Sequence, residues 1–139
     1  MKSDFDWAAK HFGYRFAAKS LLVQAVTHRS AGSINNERLE FLGDSVLGSV
    51  VSEQLYRARP QADEGRSSRI RASLVKRSML AEIAVEIELG NLVRLGPGEL
   101  KSGGQNKQSI LADTLEALLG AIFLDGGYQS AKIAILNIY

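Results

Sequence analysis

Residues 36–59 read NERLEFLGDSVLGSVVSEQLYRAR, and this segment determines which fold class the sequence predicts. It contains no proline, and its apolar side chains Leu39, Leu42, Val46 and Val50 recur at the spacing of one helix face. Apolar residues also occupy much of the remaining circumference of such a helix. A helix that is apolar nearly all round is usually buried inside a protein. The segment therefore predicts one long, buried helix.

The rest of the chain has the same helical character. Its two prolines, Pro60 and Pro97, lie outside the long periodic segments. Six further helices are predicted at residues 3–12, 16–28, 64–76, 78–89, 107–124 and 129–139, with a glycine-rich loop at 96–106. Residues 84–89 also alternate apolar and acidic side chains as a strand would, but Ser78 and Gly90 suit the two ends of a helix. We therefore predict an all-α fold of about seven helices.

Length and composition exclude several classes of protein. The chain has 139 residues, which is the size of one domain, and it has no cysteine. A disulfide scaffold, a cysteine zinc site and a cysteine nucleophile are therefore excluded. The formal net charge of +2 argues against a simple polybasic nucleic-acid binder. No apolar run approaches the roughly 18 residues of a membrane span, and the N-terminus has no signal-peptide core, so we expect a soluble cytoplasmic protein without a membrane partner.

Three acidic residues share one face of the long predicted helix. Glu37, Glu40 and Asp44 stand at positions i, i+3 and i+7. Carboxylates on a buried helix repel one another and lose hydration, so they need a compensating cation. That cation is either a basic side chain or a metal ion. The alternative is an acidic face exposed to solvent.

A second helix repeats this arrangement with Asp113 and Glu116. Gly120 continues their face, and a small residue there lets another helix or a ligand approach closely. Paired carboxylates on two helices suggest one shared cluster, and oxygen ligands suit a hard divalent cation such as Mg²⁺. A di-iron site would need Glu-x-x-His pairs, which neither histidine provides. We interpret His28, in THRS at residues 27–30, as a hydrogen-bonded structural residue.

Four segments of the sequence resemble the catalytic domain of the ribonuclease III family. They are NERLEFLGDS at 36–45, THRS at 27–30, DEGRSSRIRASLV at 63–75 and LGPGELKSGGQNKQSILADTLEALLGAIFLDGG at 95–127. The resemblance covers nearly the whole chain with its segments in the right order. It implies the all-α fold of the ribonuclease III endonuclease domain, in a homodimer that cuts double-stranded RNA with Mg²⁺, for which Mn²⁺ can substitute.

The resemblance also assigns roles to individual acids. It implies that the metal ligands are Glu40, Asp44, Asp113 and Glu116, among which Asp44 and Glu116 are the catalytic residues. It implies two auxiliary acids, Glu37 and Glu64, in the outer part of the site or toward the partner subunit. All six positions hold the expected acid, so the resemblance implies an active enzyme.

The resemblance further implies a contact with a partner subunit, and the placement of basic residues on a helix face and beside the glycine-rich loop predicts where RNA binds. In the family the aromatic residue that matches Phe41 packs into a pocket of the partner; the alternative is an ordinary core position. The basic residues predicted to bind RNA are Arg66, Arg69, Lys101 and Lys107, for which the alternative is a solvated charged surface. Arg71 is predicted to face the apolar side and to form a buried ion pair.

The implied products have 5′-phosphate and 3′-hydroxyl ends with short 3′ overhangs, as in rRNA and mRNA processing. Bacterial members of the family typically carry a double-stranded-RNA-binding domain after the catalytic one, whereas this sequence stops at Tyr139. We interpret it as a trimmed chain with weakened RNA affinity. Two other functions stay open: a non-catalytic RNA-binding or ribosome-assembly module of the same fold, and a metal-binding helical protein that interacts with no nucleic acid.

Overall fold

The computed structural model describes residues 2–139, with side chains from Asp4 onward. Its helices are α1 (Lys2–Phe12), α2 (Lys19–Ala25), α3 (Glu37–Ala58), α4 (Glu64–Val75), α5 (Arg77–Glu86), α6 (Pro97–Lys101) and α7 (Gln108–Ile138). Short 3₁₀ turns occur at Arg29–Ala31, Leu89–Asn91 and Gly104–Asn106. Across the described residues, β pairing is limited to one parallel bridge between Thr27 and Arg94. The predicted all-α fold with seven helices is confirmed.

The centre of the molecule is the pair formed by α3 and α7. Leu47 and Val50 of α3 and Leu115 and Leu118 of α7 are all completely inaccessible to solvent. Helices α1, α2 and α5 pack on α7, and α4 packs on α3. The prediction of one long buried helix is confirmed, because α3 differs from the predicted segment by one residue at each end.

Helices α3 and α7 touch through two glycines. A Cβ atom on Gly43 would overlap the main-chain carbonyl oxygen of Glu116, and one on Gly120 would overlap that of Leu39. The two backbones therefore cross without side chains between them. The close approach expected at Gly120 is confirmed, and it brings the acidic residues of both helices together.

The start of α2 differs from the prediction, since the helix begins at Lys19 and not at residue 16. The carboxylate of Asp125 accepts hydrogen bonds from the N–H groups of Ala17 at 2.7 Å and Ala18 at 2.9 Å, and from the Tyr14 hydroxyl at 2.6 Å. These bonds hold the chain before α2 in a non-helical course. The residue responsible lies more than a hundred positions away, so helical periodicity gave no sign of it.

The end of α2 also comes earlier than predicted. The N–H of Arg94 donates to the carbonyl of Val26 at 2.7 Å, and the N–H of His28 donates to the carbonyl of Arg94 at 2.9 Å. These two bonds occupy the carbonyl of Val26 and the N–H of His28, which a longer α2 would have used for its own hydrogen bonds.

The end of α5 and the glycine-rich segment also differ from the prediction. Helix α5 ends at Glu86 because Glu88 adopts a left-handed conformation with φ of 58°, and the chain continues into a 3₁₀ turn. The predicted loop at 96–106 contains helix α6, whose first residue is Pro97, a favourable position for proline. The predicted break between the last two helices is present inside α7, where Gly127 has φ of 88° and ψ of 176°.

Among residues 2–139, none of the helices combines the length and the apolar character that crossing a membrane requires.

Candidate active site

The crossing of α3 and α7 assembles a cluster of carboxylates. Glu40 of α3 and Asp113 and Glu116 of α7 each offer an oxygen, and these three oxygens lie within 4.8 Å of one another. The shared cluster expected from the two helices is therefore present in the structure. Its position follows directly from the glycine contact, because Gly43 lies against the backbone of Glu116 itself.

Asp44 completes this group from the exposed side of α3. It follows Glu40 by about one helical turn, and its carboxylate is near enough to Glu116 to raise the pKa of that residue. Three of the four residues predicted as metal ligands thus bring their oxygens within 4.8 Å of one another, and the fourth, Asp44, lies beside Glu116. We call Glu40, Asp44, Asp113 and Glu116 the acidic cluster.

Burial and the neighbouring carboxylates raise the pKa values of two members of the acidic cluster, Glu116 and Glu40. Glu116 is only 8% exposed. This burial is the main cause, and the neighbouring Asp44 the second, of a Glu116 pKa raised to about 9. Burial and the neighbouring Asp113 raise the Glu40 pKa to about 7, although Arg77 acts in the opposite direction. At neutral pH, Glu116 therefore holds a proton when no cation is bound.

The acidic cluster suits a hard divalent cation. Its donors are all carboxylate oxygens, which Mg²⁺ prefers. Among the side chains described, those of residues 4–139, the ion pairs involve none of the four acids. The four acids therefore form no ion pair with a basic side chain, and a bound cation would offset the burial and the repulsion that raise the pKa values of Glu40 and Glu116.

A cleft of about 270 Å³ opens beside the acidic cluster. Helices α3 and α7 line it with Glu37, Glu40 and Asp113 among others, and the segments around residues 28–29 and 99–107 form the rest of its wall. Glu37 lies in this cleft but points its carboxylate toward Arg29, with the two charged groups 3.7 Å apart. The auxiliary acid is thus next to the acidic cluster without belonging to it.

Sequence reasoning missed Asn36 as a residue that positions the site. Asn36 is only 4% exposed, and its side-chain amide donates to the carbonyl of Ala25 at 3.1 Å. Its N–H donates to the carbonyl of Thr27 at 2.9 Å. An asparagine before a helix normally indicates a cap, but here the side chain of Asn35 accepts the N–H of Glu37 at 3.1 Å. Asn36 instead ties the start of α3 to the end of α2.

His28 has the structural role that its context predicted. Its Nδ1 atom accepts the N–H of Ser30 at 3.1 Å and lies 2.8 Å from the Ser30 hydroxyl. The Ser30 hydroxyl in turn accepts the N–H of Gly96 at 2.9 Å. The THRS segment is therefore a hydrogen-bonded turn that holds the glycine-rich segment at the edge of the cleft.

Glu64 and Arg71 lie away from the acidic cluster. Both line a groove between α3 and α4, together with Ser52, Leu55 and Tyr56. The prediction of a buried ion pair for Arg71 is wrong, because its side chain is exposed and donates to the Ser52 hydroxyl at 2.8 Å. Arg71 faces α3, and the side chain that accepts its hydrogen bond there is Ser52 and not an acidic residue.

Phe41 lies on the surface of the single chain. It is 80% exposed, although it belongs to α3, whose residues Leu47 and Val50 are completely buried. The alternative of an ordinary core position is therefore wrong.

The four basic residues predicted to bind RNA are all exposed. Only Lys107 lines the cleft, where its Nζ atom lies 2.8 Å from the Glu99 carboxylate. Arg66 and Arg69 lie on α4, and Lys101 ends α6. A single chain therefore does not bring the four together.

The family model described as Ribonuclease-III-like matches residues 18–139, which is most of the chain. The chain belongs to the ribonuclease-III-like family. It is 58% identical over 130 residues to the Ribonuclease 3 of Photorhabdus laumondii and to that of Proteus mirabilis. These alignments cover 94% of this ribonuclease-III-like chain and 58% of each relative, so the chain spans a little over half the length of those relatives.

Solved structures share the ribonuclease-III-like fold over almost the full chain. One crystal structure of the nuclease domain of ribonuclease III from Campylobacter jejuni has a TM-score of 0.92 and 44% identity, covering 99% of this chain and 95% of that one. Another structure of that domain has a TM-score of 0.93 and 42% identity, covering 96% and 94%. Its description refers to flexibility in a region involved in dimer formation.

Proposed function

We propose that this chain is the catalytic domain of an endonuclease that hydrolyses phosphodiester bonds of double-stranded RNA with Mg²⁺. The products would carry 5′-phosphate and 3′-hydroxyl ends with short 3′ overhangs, as in rRNA and mRNA processing in the cytoplasm. The main support for the proposal is one observation. Oxygen atoms of Glu40, Asp113 and Glu116 lie within 4.8 Å of one another, beside an open cleft. The relatives named Ribonuclease 3 support it.

The four residues of the acidic cluster would hold the cation, directly or through water. A divalent cation there supplies positive charge at the phosphate and makes water more acidic, which are the two needs of phosphodiester hydrolysis. Glu116 and Asp44 are the proposed catalytic residues: Glu116 would release its proton as the cation binds, and Asp44 beside it would help to hold the cation. Mn²⁺ would substitute because it accepts the same carboxylate oxygens.

The proposed enzyme is a homodimer in which Phe41 contacts the partner subunit. Phe41 is 80% exposed, and an aromatic side chain of that size is costly to leave in water. The groove between α3 and α4 offers Leu55 and Tyr56 as apolar walls, and Tyr56 is itself 82% exposed. Packing Phe41 into this groove of the partner subunit would remove both exposed aromatic side chains, Phe41 and Tyr56, from water. It would also place Glu64 at the subunit interface.

One cleavage experiment tests the proposed function. Labelled duplex RNA is incubated with the protein in Mg²⁺, in Mn²⁺ and in a chelator, and the product ends are analysed. We expect cutting that requires the divalent cation and leaves 5′-phosphates. Binding by the folded protein without any cutting would contradict the proposal and would favour the non-catalytic RNA-binding module. Absence of salt-dependent binding would favour the metal-binding protein that interacts with no nucleic acid.

A further inference from the structure

The THRS turn at residues 27–30 places an arginine at the mouth of the cleft. The turn is fixed at three points: the His28 side chain bonds Ser30, the His28 N–H donates to the carbonyl of Arg94, and Ser30 accepts the N–H of Gly96. Arg29 lies inside this turn with its side chain 72% exposed. A fixed backbone with an exposed guanidinium is a suitable arrangement for a binding residue.

Two ion pairs share the cleft with the acidic cluster. Arg29 lies 3.7 Å from Glu37, and Lys107 lies 2.8 Å from Glu99. All four side chains line the same cleft as Glu40 and Asp113. All four side chains are at least partly exposed: 72% for Arg29 and 57% for Glu37, and 45% for Lys107 and 30% for Glu99.

An RNA phosphate that enters this cleft meets an excess of carboxylates. A cation in the acidic cluster offsets part of that charge, and cationic side chains must offset the rest. Exposed ion pairs contribute little net free energy in water, so Arg29 and Lys107 can exchange their carboxylate partners for a phosphate. Arginine is especially suited to this exchange because its guanidinium binds phosphate oxygens with two parallel hydrogen bonds.

We propose that Arg29 and Lys107 bind backbone phosphates of the strand that is cut, and that Glu37 and Glu99 are positioning residues that hold these two cations at the cleft. This inference rests on the proposed function. It gives Glu37 a role through Arg29 and not as a metal ligand, and it explains why the THRS turn is tied so firmly to the glycine-rich segment.

The first test measures RNA binding without cleavage. Duplex RNA is titrated into the Glu116→Gln protein in Mg²⁺ at several salt concentrations, alone and with Arg29→Ala or Lys107→Ala added. Each added substitution should raise the Kd about tenfold and lower the slope of log affinity against log salt by about one. The matched control is Arg15→Ala, which removes an arginine that is 63% exposed, against 72% for Arg29, from a 3.3 Å pair with Asp6.

The controls also separate this inference from the proposed function. If Arg29→Ala and Lys107→Ala bind RNA as Arg15→Ala does, the inference is wrong while the nuclease proposal stands. If the parent protein fails to cut duplex RNA in Mg²⁺, the proposed function itself is wrong.

The second test asks how Glu37 acts. Glu37→Gln is compared with Asp113→Asn in the parent protein and in the Arg29→Ala variant, with KM and the half-maximal Mg²⁺ concentration as readouts. Glu37→Gln should change KM only when Arg29 is present and should leave the Mg²⁺ requirement unchanged, whereas Asp113→Asn should raise that requirement in both backgrounds. A Glu37→Gln variant that raises the Mg²⁺ requirement as Asp113→Asn does would overturn the inference.

Discussion

Glu116 is a carboxylate buried at the contact of two apolar helices. It is 8% exposed, and Leu115, Ala117 and Leu118 beside it are completely buried. Such a residue costs folding free energy in the absence of a cation, because burial and the acids around it disfavour its charge. A catalytic role would account for the retention of this unfavourable group.

The pH dependence of stability should reveal this cost. The Glu116 pKa is about 9 in the folded protein against an ordinary value of 4.5, so between these values the folded state binds more protons than the unfolded state. Stability therefore falls as the pH rises through this range. In chelator, Glu116→Gln should raise the Tm at pH 8 by several degrees and change it less at pH 5, measured by thermal unfolding.

The control for this prediction is Glu82→Gln, which changes an exposed glutamate of α5. It should shift the Tm little and equally at both pH values. A gain from Glu116→Gln that is the same at pH 5 and pH 8 would contradict the buried, protonated state of Glu116.

Removing single carboxylates should separate cleavage from folding. Glu116→Gln and Asp44→Asn keep the size of each side chain and remove its charge. Each should lower the rate of duplex RNA cleavage by roughly a thousandfold or more, since the cation's contribution to catalysis is worth several kcal/mol. Circular dichroism should show unchanged helicity. Cleavage at the parent rate in saturating Mg²⁺ would show that the site is assigned to the wrong residues.

At the scale of helices, the site depends on how closely α3 and α7 approach each other. The helices bring their backbones into contact at Gly43 and Gly120, and the acidic cluster lies around that contact. A wider crossing would separate Glu40 from Asp113 and Glu116. The geometry of the site is thus a consequence of helix packing more than of any loop.

Gly43→Ala should destabilise the protein and weaken its activity. The added methyl group would overlap the Glu116 carbonyl oxygen, which belongs to a rigid backbone. Overpacking of this kind costs roughly 1–3 kcal/mol, measured by denaturant unfolding. The half-maximal Mg²⁺ concentration should rise as well, because the helices must move apart.

Gly48→Ala is the matched control on the same helix, since nothing lies within 4 Å of the position its methyl group would take. Alanine is the better helix former, so this variant should be more stable by roughly 0.5–1 kcal/mol. Equal effects of the two substitutions would mean that α3 and α7 do not meet at Gly43.

At the scale of the whole molecule, the proposed homodimer depends on Phe41, which is 80% exposed in the single chain. Phe41→Ala should weaken the proposed dimer by at least roughly 30-fold, as expected for an interface residue worth about 2 kcal/mol. Sedimentation velocity over a range of protein concentrations measures this change. Cleavage should fall with it, because Glu64 lines the groove that Phe41 is proposed to fill.

Ile34→Ala provides the comparison, since Ile34 is 76% exposed but lies outside that groove. It should leave the oligomeric state unchanged. A Phe41→Ala protein with the parent's sedimentation behaviour would contradict the proposed interface.

Much of the fold was accessible from the sequence because the relevant information is local. Helical periodicity located α3 to within one residue at each end, and the i, i+3 spacing put Asp113 and Glu116 on one face of a second helix. The i, i+3 and i+7 spacing likewise put Asp44 on one face of α3 with Glu37 and Glu40, and the structure places Asp44 beside Glu116. These features depend on residues a few positions apart.

Other features were decided by contacts between distant parts of the chain. Asp125 sets the start of α2, Arg94 sets its end, and Arg71 meets a serine where an acid was expected. The sequence alone determined which carboxylates this protein has and on which helices they lie. Only the tertiary structure decided that they meet, because the meeting requires two glycines far apart in the chain to bring α3 and α7 into backbone contact.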